Sequence, residues 1–522
     1  MKVVICGGGP VGALAAIYAG LRGHEVEIYE MRGDPRCEEK TTTHQVGKSI
    51  NITMSDRGFK ALERSGDRDL VRDVLKGTIG VHSREVHGVS ATGELTTTQV
   101  RYSTEGKDLT VVSREDLRMV LLNRVFALPN AKVFFNRKLL HADLNAKEAI
   151  FSDSRSDPFG VQSFTRARFD LIIGADGSHS AVRHHLARFS HLNTTTRWLD
   201  TWWCEFHIPQ GPDGQPKLPL DRLHVWPTRN FMFIALPNPQ GTFTCNLFAP
   251  EAVFRHLRSQ AARQDRAGLV GFFDTHFPGI VPRLLTPAEL AAQFAQTQPA
   301  ALHDLRVSPV THGDACVLVG DAAHTMVPFY GQGLNTGLED VRVLFDDGYL
   351  DRLTCGRKSL HQHEYPGRSE PLGLEKSSLS SSPSEPLAEY SAHRQPDVAV
   401  MNQLALDNYH VMRNGLRPAQ YPQLLRRRLE EALQTHFPGF GWQTLYSRVA
   451  FSSERFSVIK QKDDLQRALF QVLLALVLAA VLAALLWVVA ASKGQVTTGE
   501  SVMRAIWGGS DVMISGLGSQ SR

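Results

Sequence analysis

Two short strings of residues carry the chemistry that can be read from this chain. Gly7-Gly8-Gly9-Pro10-Val11-Gly12 follows the apolar run Val3-Val4-Ile5-Cys6, and far downstream Gly320-Asp321-Ala322-Ala323-His324 runs on into Val327-Pro328-Phe329-Tyr330-Gly331-Gln332-Gly333-Leu334-Asn335. Glycine-rich turns let backbone amides approach phosphate oxygens, and an acid after a buried strand can accept hydrogen bonds from sugar hydroxyls. Either string alone is a modest signal. Together they describe a chain that grips one dinucleotide at both ends.

The elements that must position the first string are a strand, a turn and a helix. The pattern predicts a buried strand over Lys2–Cys6 and a helix over about Pro10–Arg22. Gly7 serves the tight turn, Gly9 the close approach of backbone to pyrophosphate, and Gly12 the packing of helix on strand. The helix N-terminus offers free N–H groups and a partial positive charge. A second strand, His24-Glu25-Val26-Glu27-Ile28-Tyr29, ends at Glu30, placed to accept from an adenosine ribose hydroxyl. A purely structural glycine turn would need none of this accompaniment. The dinucleotide expected at both strings is FAD.

Length and composition suit an enzyme. The 522 residues leave room for two or three domains and a large core, and a net charge of +4 is too small and too dispersed to argue for nucleic acid. Six cysteines (Cys6, Cys37, Cys204, Cys245, Cys316, Cys355) form no CxxC pair and no His/Cys ligand spacing, so no metal site is expected. Cys6 and Cys316 sit in apolar strand patterns and read as core. The chain opens directly on a strand, which leaves no room for a secretory signal peptide and favours a reducing, cytosol-facing location.

The C-terminal region differs in kind. Ala468–Ser492 holds 25 residues without a charge, dominated by Leu, Val and Ala. At 1.5 Å per residue this spans roughly 37 Å, enough for a hydrocarbon core of about 30 Å. Arg467 and Lys493 bracket the run and Trp487 lies near one edge; Lys460, Lys462 and Arg467 on its N-terminal side favour a cytosolic catalytic portion. Between about Asp351 and Pro386 the chain turns rich in Ser, Pro, Gly and charge, without apolar periodicity, and reads as a disordered insert. His361 and His363 within it lack a third ligand and a rigid scaffold. The expected organisation is a core over 1–350, with its substrate sheet at about 80–105 and 195–300, the insert over 351–386, a helical segment over 387–462, a membrane span over 468–492 and a tail over 493–522.

A third string lies between the first two. Phe169-Asp170-Leu171-Ile172-Ile173-Gly174-Ala175-Asp176-Gly177-Ser178 reads as a buried strand ending in a Gly/Asp turn, with Ser180-Ala181-Val182-Arg183 opening a helix. With the other two it resembles the three-part signature of the flavin-dependent aromatic hydroxylases. The resemblance implies a doubly wound α/β FAD-binding domain of Rossmann type, a mixed β-sheet substrate domain, C-terminal helices and a transmembrane helix. In it Asp321 binds the ribityl chain, and the turn at Gly331, Gly333, Leu334 and Asn335 directs a helix N-terminus at the flavin. Val11, Arg32 and Arg114 join the cofactor set. Asp176 falls on a position linked to pyrophosphate and NADPH, beside its plainer reading as a turn residue. NADPH and O₂ are implied as cosubstrates, with no second nucleotide-binding domain for NADPH.

The likeness narrows to the members of this family that act on kynurenine. Lys48-Ser49-Ile50-Asn51-Ile52 with Ser55-Asp56-Arg57-Gly58, Ser113-Arg114-Glu115-Asp116-Leu117, Leu223-His224-Val225-Trp226-Pro227 and Ile234-Ala235-Leu236-Pro237-Asn238 carry it. Phe329-Tyr330 departs from a family pair of phenylalanines. The resemblance implies L-kynurenine as substrate, with Arg84, Tyr102, Asn408 and Tyr446 on its carboxylate and Leu223, Ile234, Leu236, Phe248 and Pro328 along its ring. Arg84 would otherwise read as a solvated surface residue. No side chain is expected as acid or base, since the flavin carries the chemistry; His224 and His324 read as structural. The mitochondrial outer membrane is implied by the resemblance only. Two other readings are an FAD hydroxylase for a different aromatic acid, which would not need the carboxylate set, and a membrane-tethered binding module, which would keep the first loop alone.

Overall fold

The computed structural model describes residues 1–37, 51–153, 163–262, 265–355, 385–414 and 421–492. Lys48, Ser49 and Ile50, most of the Ser/Pro-rich insert with His361 and His363, and the tail over 493–522 lie outside the described residues.

The dinucleotide half is built on a six-stranded sheet in the order Thr311–His312, Cys316–Leu318, Leu171–Gly174, Lys2–Cys6, Glu25–Tyr29, Ala131–Phe134. All neighbours pair parallel except the first two. Buried on both faces, these strands read as continuous apolar runs rather than alternations. Val3, Val4, Ile5, Leu171, Ile172 and Ile173 have no exposure. The helix Pro10–Leu21 follows the first strand, with proline in its first turn where a missing N–H costs nothing.

The substrate half is an eight-stranded mixed sheet in the order His324–Thr325, Ala300–Ser308, Asn193–Ile208, Phe243–Ala249, Met232–Pro237, Arg222–Pro227, Ser83–Val89, Leu95–Arg101. It extends past the expected end at about residue 300, because Leu305 and Arg306 pair with Thr325 and His324. The Gly320–His324 string thereby runs from the end of Cys316–Leu318 in the first sheet into the edge strand His324–Thr325 of the second. Three helices, Glu251–Ala262, Arg266–His276 and Pro287–Gln296, pack on one face around Phe206, Phe233, Phe273 and Phe277.

After the insert come the helices Pro386–Asn414, Tyr421–His436 and Leu445–Ala450. The last helix differs from expectation at its start: it runs unbroken from Phe456 to Ser492, so the apolar run expected from 468 continues a helix begun in charged sequence. Its stretch Phe456–Ala491 is long and apolar enough to cross a membrane. Leu476, Leu482, Leu486 and Trp487 are exposed. Two compact units divide the chain, Met1–Ile459 and Lys460–Arg522.

Candidate functional site

The first glycine loop does what its spacing requires. Gly7 holds φ +103°, and a Cβ there would lie 2.4 Å from the Ala175 carbonyl oxygen; a Cβ on Gly12 would lie 2.0 Å from the Gly7 carbonyl oxygen. Only glycine allows strand, turn and helix to approach this closely. Gly9 is different in kind: a Cβ there meets nothing within 4 Å. The space in front of it is open, where a pyrophosphate would sit before the helix N-terminus.

The acids around the loop brace it. Gly8 N–H donates to Glu30 Oε2 (2.7 Å) and Arg32 N–H donates to Glu30 Oε1 (2.8 Å). Each oxygen keeps a lone pair for a ribose hydroxyl. The Arg32 side chain is exposed. Asp176 takes its plainer role in these contacts: its carboxylate accepts from Ser180 Oγ (2.5 Å) and from the Ala181 and Val182 N–H groups (2.7 and 3.1 Å), capping the helix Ala181–Leu186. Burial raises its pKa against those bonds.

The downstream string closes on the same loop. Val11 packs against both Gly320 and Gly337, tying the first helix to the Gly-Asp turn. Asp321 is half-buried, with no hydrogen bond to its carboxylate among the described residues; burial raises its pKa, opposed first by the charge of Arg114. Gly331 turns at φ +66°, and Gly333–Asp346 starts its helix there. Asn335 donates from Nδ2 to the carbonyls of Thr53 and Gly331 (both 2.8 Å), while its Oδ1 accepts from Ser55 N–H (2.9 Å). The Asn51–Gly58 stretch and the Gly331–Asn335 turn, far apart in sequence, are thus one substructure. Gly333 and Leu334 are half-buried at its mouth.

Sequence reasoning missed several supporting groups. Arg118 donates from Nε to the Gly8 carbonyl (3.0 Å), and its Nη2 is buried without a partner among the described residues, beside the loop. It stands one helical turn after Arg114, a spacing that could have flagged it. Asp340 accepts from Gly320 N–H (2.9 Å) and pairs with His324 Nε2 (2.5 Å). Arg394 bonds Asp340 (2.7 Å) and Glu339 (2.9 Å), and Glu339 also receives Arg57 (2.5 Å), whose guanidinium lies over the Phe456 ring. Asp340 feels burial first, which pushes its pKa up, but His324, Arg394 and the Gly320 N–H together hold it down at about 2. No sequence signal marks a mid-helix acid for this duty.

The substrate end has the opposite character. Arg84 projects from Ser83–Val89, and among the described residues no acid and no hydrogen bond meets its guanidinium; Nε is fully enclosed and unpartnered. Burial pulls its pKa down, while Tyr102, Tyr446 and Tyr330 act to raise it. Tyr446 stacks on Tyr102 (centroids 5.0 Å) and on Tyr330 (5.2 Å), so the residue that departs from the family's second phenylalanine joins the clamp. Arg427 lies near enough to oppose Arg84. Asn408, expected on the substrate carboxylate, donates from Nδ2 to the Phe329 carbonyl (2.7 Å), fixing the Pro328–Tyr330 turn.

The apolar set converges on this guanidinium. Leu223 is the register partner of Arg84. Leu223 and Ile234 pack both with the Tyr102 and Leu236 group and with the Phe248 and Phe329 group. Phe248 meets Phe329 edge-on (5.1 Å), and Phe329 stacks on Tyr409 (4.1 Å). Pro328 is exposed at the end of this row. A cation without an anion beside an apolar wall has the chemistry to receive an aromatic acid.

The residues of the glycine loops fit FAD: open space before Gly9, an orphaned Arg118 nitrogen and a half-buried Asp321 carboxylate without a hydrogen bond among the described residues. Comparison with known proteins agrees. The FAD binding domain family matches residues 1–347. Kynurenine 3-monooxygenase of Neurospora crassa is 42% identical over 474 residues, covering 89% of this chain and 88% of its own. That of Neosartorya fischeri is 41% identical over 468 residues, covering 88% and 86%. Among solved structures, 2-methyl-3-hydroxypyridine-5-carboxylic acid oxygenase superposes with a TM-score of 0.56 at 20% identity, covering 83% of this chain and 95% of its own. The p-nitrophenol 4-monooxygenase PnpA of Pseudomonas putida gives 0.56 at 18%, covering 89% and 98%. These two share the fold. On the strength of the two fungal relatives, matched along nearly nine-tenths of its length, the chain belongs to the kynurenine 3-monooxygenase family of FAD-binding monooxygenases.

Proposed function

We propose that this protein hydroxylates L-kynurenine to 3-hydroxykynurenine, consuming NADPH and O₂ and releasing NADP⁺ and water, in tryptophan catabolism and de novo NAD synthesis. The observation that carries the substrate is Arg84. A half-buried guanidinium with an enclosed Nε and no anion is costly unless a ligand supplies one, and a carboxylate offers the planar, bidentate match. Tyr102, Tyr446 and Tyr330 surround that charge with hydroxyls, and Leu223, Ile234, Leu236 and Phe248 form the wall for an aniline ring. Asn408 acts at one remove by holding the Phe329 carbonyl.

FAD, reduced by NADPH, supplies the oxygen activation when bound. The chain's own work is to hold and to exclude. The Gly7–Gly12 backbone, Glu30 and Arg118 would take the adenosine and pyrophosphate end; Asp321, Arg114 and the Gly331–Asn335 turn would take the other. The start of the Gly333–Asp346 helix brings positive potential to a cofactor that is anionic when reduced. The stacked Tyr102, Tyr446 and Tyr330 rings and the Phe248–Phe329 pair keep water from the reacting ring. The long apolar helix anchors the enzyme in a membrane, the mitochondrial outer membrane in this reading, with the catalytic portion facing the cytosol. NADPH oxidation by purified protein with and without L-kynurenine, with product identification, tests the assignment. Stimulated oxidation with 3-hydroxykynurenine as product is the expected result; stimulation by kynurenine without a hydroxylated product, or none at all, overturns it.

A further inference from the structure

Behind the clamp, on the other face of the same strands, lies a second cluster. Side chains alternate along Ser83–Val89, so Glu85 and His87 share the face that Arg84 does not use. His224 is the register partner of Glu85 on the neighbouring strand and is fully buried. His87 Nε2 lies 3.0 Å from His224 Nδ1, and Glu85 Oε2 lies 3.2 Å from the same nitrogen. The three ligand atoms are all within 4.8 Å of one another.

The proton count at His224 points to a missing cation. Its Nε2 lies 2.8 Å from the Pro219 carbonyl, which can only accept, so the ring carries its proton there. Nδ1 then presents a lone pair to a carboxylate oxygen. An N–H from His87 can satisfy that nitrogen but does nothing for the oxygen beside it. Arg222 stands 3.6 Å from the other Glu85 oxygen, leaving Oε2 facing the histidines. Two neutral imidazoles and a carboxylate are a donor set for zinc-type ions rather than calcium or magnesium. A ligating histidine held by a backbone carbonyl through its other nitrogen is the usual outer support.

We propose that Glu85 Oε2, His87 Nε2 and His224 Nδ1 bind one divalent transition ion of the zinc class, with the fourth position open to water. Binding moves the His87 proton from Nε2 to Nδ1, where no described group competes for it. The ion fastens Ser83–Val89 to Arg222–Pro227, the two strands that present Arg84 and Leu223 on their opposite face. It is a positioning device for the clamp and takes no part in the chemistry.

The test uses the full-length holoenzyme in detergent, without a polyhistidine tag, stripped with chelator and titrated with ZnCl₂ by calorimetry and with CoCl₂ by absorption. One saturable site per chain is expected, with cobalt bands to the red of the flavin. Glu85→Gln and His87→Phe should each weaken Zn²⁺ binding by more than about 10-fold, the least that losing even an outer support costs. His87→Phe keeps a ring stacked on Trp226, where the centroids are now 4.0 Å apart, and unchanged flavin content shows that the fold survives. If His224→Ala loses its flavin, these two half-buried variants decide the matter. No such site in wild type, or wild-type Zn²⁺ affinity in both variants, overturns the proposal.

Discussion

The two ends of the site treat their charged side chains in opposite ways. Around the glycine loops, Glu30, Asp176, Asp340 and Asn335 are engaged with backbone or with other side chains. There, apart from the Asp321 carboxylate and one Arg118 nitrogen, the protein addresses its ligand with amides and empty space, and the side chains hold those amides still. Around Arg84 the reverse holds: the backbone is ordinary strand and the side chain itself stands without an anion. A cofactor that stays bound is met by a braced frame. Under the proposed function, a substrate that comes and goes would be met by a group whose partner arrives with it.

The sharpest way to break this contrast is Arg84→Ala. Two charge-assisted hydrogen bonds are lost, each worth roughly 1.5–3 kcal/mol, so kcat/KM for kynurenine should fall by on the order of 3–5 kcal/mol. Flavin content should not change, because the frame is elsewhere. Residual NADPH oxidation should yield hydrogen peroxide. Wild-type kcat/KM in this variant would remove Arg84 from the substrate side of the comparison.

The frame should fail by another route, through acid. Asp340 has an ordinary pKa of 3.8 and is held at about 2 in the folded protein. A depressed carboxylate contributes stability that is complete above the unfolded value and is lost as pH falls through the folded one. That is about 2 kcal/mol, disappearing between roughly pH 4 and pH 2. Urea unfolding followed over this range should show the loss, and Asp340→Asn should start less stable and flatten it. An equally steep acid limb in the variant would assign the effect to other groups.

Gly9→Val asks whether the empty space belongs to a ligand. Its φ of −76° and open surroundings let a side chain in without disturbing the fold. FAD affinity should drop at least about tenfold, or about 1.4 kcal/mol, at unchanged melting temperature of the apoprotein. Retention of full flavin would count against the cradle. The smallest effect is expected from ending the chain before Arg467. The compact catalytic unit closes at Ile459, so kynurenine turnover should stay near wild type while the protein leaves the membrane pellet. Truncated protein that still sediments with membranes would place the anchor elsewhere.

What could be read in the sequence divides along the same line. The loops were legible because their chemistry is local: Gly7, Gly9, Gly12 and Glu30 fall within one strand–turn–helix–strand unit whose spacing encodes its shape. Asp321 and the Gly331–Asn335 turn stood out as a local string, but their roles came through the family resemblance. Arg84, Tyr102 and Tyr446 came only through family resemblance, because three separate elements bring them together and no spacing records that. Asn408 came by the same resemblance, and its bond to the Phe329 carbonyl was not legible, since which carbonyl its amide meets depends on how Pro386–Asn414 packs on the Pro328–Tyr330 turn. Asp340 and the Glu85, His87 and His224 group were not legible at all, and Arg118 only by its spacing from Arg114. Strand register joins His224 to Glu85 across well over a hundred positions. The unbroken helix from Phe456 escaped because charge in its first turns masks the periodic continuity with the apolar run.

Arg394 has one more consequence. It lies beyond the insert, yet it closes a buried ion-pair knot with Glu339 and Asp340 on the helix before it, and Tyr349 on the near side meets His393 on the far side. The covalent link between Cys355 and Pro386 is therefore not what keeps those two stretches together. A gene split at this point would produce two polypeptides with a specific, charge-matched reason to find each other, and a nicked enzyme would remain one object.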